Sequence, residues 1–597
     1  MTMAQVRRTI PEKPSRRLAG ITIGYGIFPI LAYLAAMMCV PTALLVLYSF
    51  LTPGFFSVDY SLTFSNYLNV AAESIYWQLL LKSLTIGFTI AATMTMAAFA
   101  MAYAMTFKFG KWGPRILVLV VATLLSSYVV RIYAWATILG TNGILNSTLI
   151  NLGIINKPME FLLYGYFAIF VTLFYVYLPV VVLPIYAGLQ DIDPRLVEAS
   201  RDMGAPPLET FWKVIWPLAL PATRIAFMFA FVLTSSDYIT PSLVGGIKGQ
   251  MIGNVISDQF GGASNYPQGA ALAVTLVLAF VIGVAMLSLL GRLMRRVRSI
   301  VRRTVWNVSA SRARVGLLHR IPNTGTPFAV LTTILMLLFL AVPLVTVIVF
   351  SFNSTTNPGL PLEHLTLHWY GSVLGSDQFH RALTTSAEVA FGAVGIALLL
   401  GVPAALAMTR GRVRAGGAVQ MLVYGPMAIP GIVIGVALLT TFVYLNVTLG
   451  VAATVAAHAL LVVPYIIFVL RNRLRTISVD IEAAARDLGA NPLRVLRTII
   501  LPLIMPALVG ASLLGLAISF DELVVTNFTI GNAATLPVWV LSQIHLKLTP
   551  AINAIAVLML MGTLLLLAGS AGLSRLRRSS QKSLADTLRT DVLVEVI

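Results

Sequence analysis

The sequence is short of charge and almost without cysteine. Charged residues make up 11% of its 597 positions, against about 25% in soluble domains, too few to cover the water-facing surface of a chain this long. The single cysteine, Cys39, excludes an intrachain disulfide. Acidic residues number 22 and histidines 6, and none falls in a pattern that carries catalysis. The sequence contains no GxxxxGK(S/T) phosphate loop, no HExxH, no GxSxG and no paired CxxC. Neither an enzyme nor a cofactor site is expected. The one metal-like spacing, His364 with His368, lacks a convincing third ligand and reads as a solvated loop.

Apolar residues fill the place of the missing charge, at 58% of the chain. They come in runs such as 331-LTTILMLLFLAVPLVTVIVF-350, which match the roughly 20 residues needed to cross a bilayer. Twelve such segments predict an all-α transmembrane protein, with spans near 21–50, 83–106, 115–139, 161–187, 217–240, 269–291, 327–352, 384–408, 417–445, 448–470, 500–524 and 551–574. The first run is too long for the apolar region of a cleaved signal, about 7 to 15 residues, and no small-residue cleavage site follows it. It reads as a retained span.

The net charge of +19 could mark a nucleic-acid surface, but the cations follow topology. With the N-terminus inside, they cluster in each inner segment, for example Arg7, Arg8, Lys13, Arg16 and Arg17 before the first span and Arg471, Arg473, Arg475 and Arg486 after the tenth. The expected outer segments keep only Lys82, Lys157, Lys248, Arg381 and Lys547, while Arg131 and Arg224 fall within spans. The pattern obeys the positive-inside rule and predicts both termini in the cytoplasm of an inner-membrane protein in contact with lipid, with no nucleic-acid partner.

A basic stretch divides the chain into two sets of six spans. The expected organisation is a tail at 1–20, a first half at 21–291, a cytoplasmic linker at 292–326, a second half at 327–574 and a tail at 575–597. At an offset of 285, 201-RDMGAPPLETFWKVIWPLALPA-222 and 486-RDLGANPLRVLRTIILPLIMPA-507 agree at 11 of 22 positions. The same offset pairs Pro179 with Pro464 and Gly246 with Gly531. Nearer the N-terminus the offset becomes 303, so the first half carries about 18 extra residues, expected near 140–160. Two halves with even span numbers enter the membrane in the same orientation, which makes a parallel repeat about an axis along the membrane normal.

Each half places a patterned polar segment between its fourth and fifth spans, at about 190–216 and 475–501. A short helix is expected to end at Gly204 or Gly489. Prolines suited to a first helical turn follow at Pro206, Pro207 and Pro492. One such elbow could lie on the lipid surface as an amphipathic helix; two in equivalent places suit docking on a two-fold pair of partners.

The segments EASRDMGAPPLETFWKVIWPLALP and EAAARDLGANPLRVLRTIILPLIMP resemble the EAA loop of ATP-binding-cassette (ABC) importer permeases of type I. The resemblance covers nearly all of both halves and implies two permease units fused in one chain. It further implies two copies of a separate ABC ATPase subunit that hydrolyse ATP, and a periplasmic or extracellular solute-binding protein. Carried over by position, the coupling residues are Glu198, Ala199, Arg201, Asp202 and Gly204, with Glu482, Ala484, Arg486, Asp487 and Gly489. The repeat sets Ala483, not Glu482, opposite Glu198, so the second copy departs from the pattern there.

Within that family, 126-SSYVVRIYAWATILGTNGILN-146 and 519-SFDELVVTNFTIGNAATLPVWVLSQIHLKLTPAINA-554 are similar to the spermidine/putrescine type, which implies a small organic cation as cargo. Ferric iron or an opine-like solute is the alternative, and an ion-driven secondary transporter the more distant one. Asp521 and Glu522 lie near the outer end of the eleventh span, with Asp237 opposite Glu522 in the repeat. Intramembrane carboxylates face a bundle interior or a wet cavity. These either line a cation pathway, with Tyr133, Trp135, Tyr238 and Trp539 as candidate walls, or cap helices and pair with Arg131.

Overall fold

A computed structural model describes residues 25–54, 58–305, 325–355, 364–411, 417–546 and 549–565. The tails at 1–20 and 575–597, most of the linker, Lys547 and the end of the last expected span lie outside the described residues.

In chain order the helices that position the site are α1 (Phe28–Tyr48), α2 (Ser74–Phe107), α3 (Gly113–Ala122), α4 (Tyr128–Leu139), α5 (Tyr166–Gln190), α6 (Pro194–Asp202), α7 (Pro207–Ser236) and α8 (Tyr266–Leu293) in the first half. The second half holds α9 (Pro327–Phe350), α10 (Asp377–Arg410), α11 (Gly417–Met427), α12 (Gly431–Tyr444), α13 (Val451–Arg475), α14 (Val479–Asp487), α15 (Pro492–Asp521) and α16 (Pro550–Leu565). Among the described residues, nine of these are long and apolar enough to cross a membrane unaided. Among the described residues, strands are confined to one short hairpin, Leu51–Pro53 with Val58–Leu62, apart from an isolated bridge between Asn353 and Leu365. Helix α8 continues as helix to Val305, into the segment expected to be linker.

Among the described residues each of the twelve expected apolar segments holds helix, the last as the shorter Pro550–Leu565, but the third of each half is not the single rod that hydropathy predicts. The segment expected at 115–139 is α3, a tight turn at Thr123–Leu125, an extended link through Ser126 and Ser127, and then α4. The segment expected at 417–445 is α11 and α12, bent by 95°. In the second half Pro426 and Pro430 supply the break, since proline removes a backbone donor and crowds the preceding turn. The first half has no proline there, and its break is held from outside by a carboxylate described below. Non-helical backbone at membrane depth survives only where protein or a wet cavity satisfies it.

The 18 extra residues of the first half fall between α4 and α5, where Ile144–Asn151 adds a short helix. Elsewhere the halves repeat closely, including internal prolines at Pro179 and Pro464 and at Pro221 and Pro506. Each half also lends its first helix to the other. Helix α1 packs on α10, α12 and α13, with Ile30 and Leu34 fully buried beside Ala404 and Leu460 and with Tyr33 donating a hydrogen bond to the Ala456 carbonyl. Helix α9 packs on α2 and α4, with Leu340 buried in the core of the first half. Small residues bring the helices close: a Cβ on Gly87 of α2 would sit 1.9 Å from Ser235 Oγ on α7, the tight approach on which helix association in lipid depends.

Candidate functional site: two elbows and a carboxylate cluster between the halves

The two elbows are built by the same local chemistry. Helix α6 starts at Asp193, whose side chain accepts from Arg195 N, and α14 starts at Ser478, whose hydroxyl accepts from Asp480 N. Each satisfies a donor left free in the first helical turn. Both helices end in a left-handed glycine, Gly204 at φ 76° and Gly489 at φ 87°. Their N–H groups donate to Arg201 O and Arg486 O at 2.8 and 2.9 Å, and the following Ala205 and Ala490 donate to Ser200 O and Ala485 O. A proline-initiated turn comes next, at Pro207–Thr210 and Pro492–Val495, then a π-helical turn at Phe211–Ile215 and Leu496–Ile500. Every element is displaced by 285 residues. Each elbow is thus continuous with the long helix that follows it, α7 or α15.

Glu198, Ala199, Arg201, Asp202 and Gly204 are exposed, as are Ala484, Asp487 and Gly489, while Arg486 is half-buried. The tips carry matching apolar residues in water: Met203 is 81% and Leu488 90% exposed. Glu482 differs. It is buried and paired with Arg410 Nε at 2.7 Å and more loosely with Arg486 at 3.8 Å. Its repeat partner is Val197, also buried. An ion pair therefore does in the second half what an apolar contact does in the first, which accounts for the departure from the sequence pattern.

At the far ends of α7 and α15 the carboxylates gather around the start of α4. Asp237 is buried; its Oδ1 accepts from Thr240 N at 2.9 Å, and its Oδ2 accepts from the hydroxyls of Tyr177, at 2.9 Å, and Tyr128. Glu522 repeats the first bond, Oε1 accepting from Val525 N at 2.9 Å. Asp521 reaches across to the first half. Its Oδ1 accepts from Tyr128 N at 2.6 Å, which caps the broken end of α4, and its Oδ2 pairs with Arg131 at 3.4 Å. Arg131 also donates to Val176 O at 3.1 Å. The cluster is nearly closed on itself, with 28% of the Asp521 side chain still accessible.

The aromatic candidates separate. Tyr238 joins the cluster across the repeat, its hydroxyl accepting from Asn527 at 3.4 Å and its ring 6.0 Å from Phe528. Tyr133 is buried on α4 and donates to Thr549 O at 3.3 Å. Trp135 packs into a ring cluster with Tyr175 and Phe339 at 5.8 and 5.1 Å. Trp539 stands apart against Phe379 and Gln378.

Two stretches of the chain, 28–299 and 397–585, match the family described as binding-protein-dependent transport system inner membrane component. The chain belongs to this family. It is a transport subunit with two permease units fused in one polypeptide. Relatives align over about two-fifths of this chain. The putrescine transport system permease protein PotI of Escherichia coli (strain K12) is 34% identical over 251 residues, 41% of this chain and 89% of PotI. The spermidine/putrescine transport system permease proteins PotB and PotC of Haemophilus influenzae (strain ATCC 51907 / DSM 11121 / KW20 / Rd) are 31% and 33% identical. They cover 42% and 40% of this chain and 87% and 92% of their own lengths. A solved structure, "Crystal structure of a bacterial ABC transporter involved in the import of the acidic polysaccharide alginate", aligns at 17% identity and a TM-score of 0.34, covering 43% of this chain and 98% of that one.

In this permease, sequence reasoning did not single out Tyr128, Tyr177, Asn527 or Arg410. Tyr128 sits where an uninterrupted apolar run hides a break, and Arg410 looks like one more inner-face cation. The signal in the sequence was the mismatch at Glu482, since a carboxylate where the repeat has valine needs a partner.

Proposed function

We propose that this permease imports polyamines, powered by two ABC ATPase subunits that dock on the α6 and α14 elbows and supplied by a solute-binding protein on the opposite face. The halves are taken as 21–291 and 327–574, with cytoplasmic tails and linker. The observation that carries the coupling reading is the repetition of the elbow down to its hydrogen bonds, with Met203 and Leu488 held out in water at equivalent tips. A rigid elbow continuous with α7 and α15 passes motion straight to the carboxylates at their far ends. Glu198, Ala199, Arg201 and Asp202, with Ala484, Arg486 and Asp487, form the surfaces that meet the ATPase, and Glu482 anchors the second elbow from within.

The cargo reading rests on the likeness to polyamine permeases, each covering about two-fifths of this chain, and is supported by the carboxylates at the seam. Arg131 acts as a resident cation, neutralising Asp521 while the pathway is shut. Movement of α15 against α4 separates the pair and offers Asp521, with Asp237 and Glu522 near it, to an ammonium group. Tyr238 is a wall of that route, and Tyr133 and Trp135 lie along α4 beside it.

Uptake of labelled putrescine and spermidine into cells lacking the chain, and into cells restored with it, tests this. Loss on deletion and in Asp521→Asn supports the reading; unchanged uptake on deletion overturns the cargo.

A further inference from the structure

Arg131 and Arg224 are the two arginines within expected spans, and the carboxylate cluster uses only the first. Arg224 lies on α7 and is half-buried. Among the described residues its guanidinium has no hydrogen-bond or ion-pair partner. Helix α7 packs on α2 and α5 and touches α8. Helices α2, α5 and α8 contain no Asp or Glu, and Glu209, the one carboxylate of α7, is taken by Lys213. These helices therefore offer Arg224 no counter-charge, and a charge within a span is costly until something neutralises it. Its repeat partner is Val509, so the feature belongs to the first half alone.

The surroundings of Arg224 have the outline of a phospholipid. Helices α7 and α8 run antiparallel, with the rings of Phe231 and Phe280 5.8 Å apart. Toward the elbow, a Cβ on Gly291 of α8 would lie 3.9 Å from Arg224 Nη2. Helix α8 has 28 residues, a rise of about 42 Å, and overruns the roughly 30 Å hydrocarbon core. Its last turn, with Gly291 and the exposed Arg292, reaches the headgroups on the elbow side. The Arg224 guanidinium beside Gly291 therefore snorkels to the same level. Toward the membrane centre follow the rings of Phe227, Phe231 and Phe88, with Phe88 46% exposed. Cations at headgroup level beside an apolar wall fit the phosphate and the acyl chains of one lipid.

We propose that the groove between α7 and α8 binds an anionic phospholipid from the leaflet on the elbow side, with Arg224 donating to its phosphate and Arg292 adding positive charge. A guanidinium presents paired N–H groups to phosphate oxygens. A headgroup with its own ammonium fits less well, because no carboxylate of these helices is free to face it. Gly291 keeps the approach to Arg224 open. The site is independent of the cargo.

Photolabelling of the assembled transporter in detergent tests this, with phosphatidylglycerol carrying a diazirine in its acyl chain as the probe and adducts mapped by peptide mass spectrometry. The expected result is labelling of α7 around 218–231 that unlabelled phosphatidylglycerol competes away at about a fifth of the concentration required of phosphatidylethanolamine. Inorganic phosphate should not compete. Arg224→Gln is expected to cut this labelling about fivefold or more. Gly291→Leu keeps both arginines and fills the space beside the guanidinium, and should cut it as well, while background labelling of α15 around Val509 stays unchanged. Equal competition by the two lipids, or labelling that both substitutions leave intact, overturns the site. Competition by inorganic phosphate would assign the cations to a free anion and overturn the lipid.

Discussion

Arg131 and Asp521 are 390 positions apart in the chain and 3.4 Å apart in space, one from each half. The same carboxylate caps the broken end of α4 through Tyr128 N, so one side chain both stabilises the break and neutralises the arginine. Removing one member of a buried pair strands the other, at about 3–5 kcal/mol. Arg131→Leu is therefore expected to lower the thermal midpoint of the solubilised transporter sharply. Arg131→Leu with Asp521→Asn, which removes both charges and keeps an oxygen for Tyr128 N, should recover much of that stability without recovering uptake. Full uptake in the double variant would mean the pair is only a brace.

Gly204 and Gly489 hold left-handed backbone, with open space where a Cβ would project. The Cβ of a valine at either site meets no neighbour within 4 Å, and the cost is the strain of positive φ, about 1–2 kcal/mol. Gly204→Val and Gly489→Val should insert normally and permit ATP hydrolysis by the partner while uptake per ATP falls several-fold. Wild-type transport in both variants would sink the coupling role of the elbows.

Glu482→Ala leaves the Arg410 guanidinium, 9% exposed, without its partner. The expected result is an elbow released from α10, seen as faster amide exchange across α14, at a cost of about 3 kcal/mol. Val197→Ala in the first half should loosen α6 less, since a small cavity costs about 1–2 kcal/mol. Equal exchange in the two elbows would contradict the anchoring role of the ion pair.

Tyr128→Phe removes one of the two phenol donors to Asp237 and leaves Tyr177 and Thr240 N in place. The loss is expected to be about 1–3 kcal/mol, with uptake reduced more than stability alone explains, because the ring sits at the start of α4. Stability and uptake that fall in proportion would assign Tyr128 a structural role only.

The repeat, the elbows and the count of apolar segments were legible because they depend on local spacing, which an offset of 285 exposes at Gly204 and Gly489 or Pro179 and Pro464. The break before Tyr128 was not, because what holds it is Asp521, 393 positions away. Its counterpart had a local signal in 425-GPMAIPG-431, yet hydropathy averages over such a break. The exchange of α1 and α9 was hidden for another reason. A helix side facing lipid and one facing another helix are both apolar, so composition does not distinguish Ile30, buried against α10, from Phe28, which is 59% exposed.

That exchange sets an order on assembly. Helix α1 is synthesised well before α10 and α13, yet these are the helices whose surfaces bury Ile30 and Leu34. Until then only the outer part of α1, with Leu45 and Tyr48, has its own half to pack on, against α8, while the inner part faces lipid, and the first half is incomplete without α9. Fusion of the two units keeps each latecomer tethered to the partner that waits for it, so a chain cut at the linker would depend on the chance meeting of two unfinished pieces.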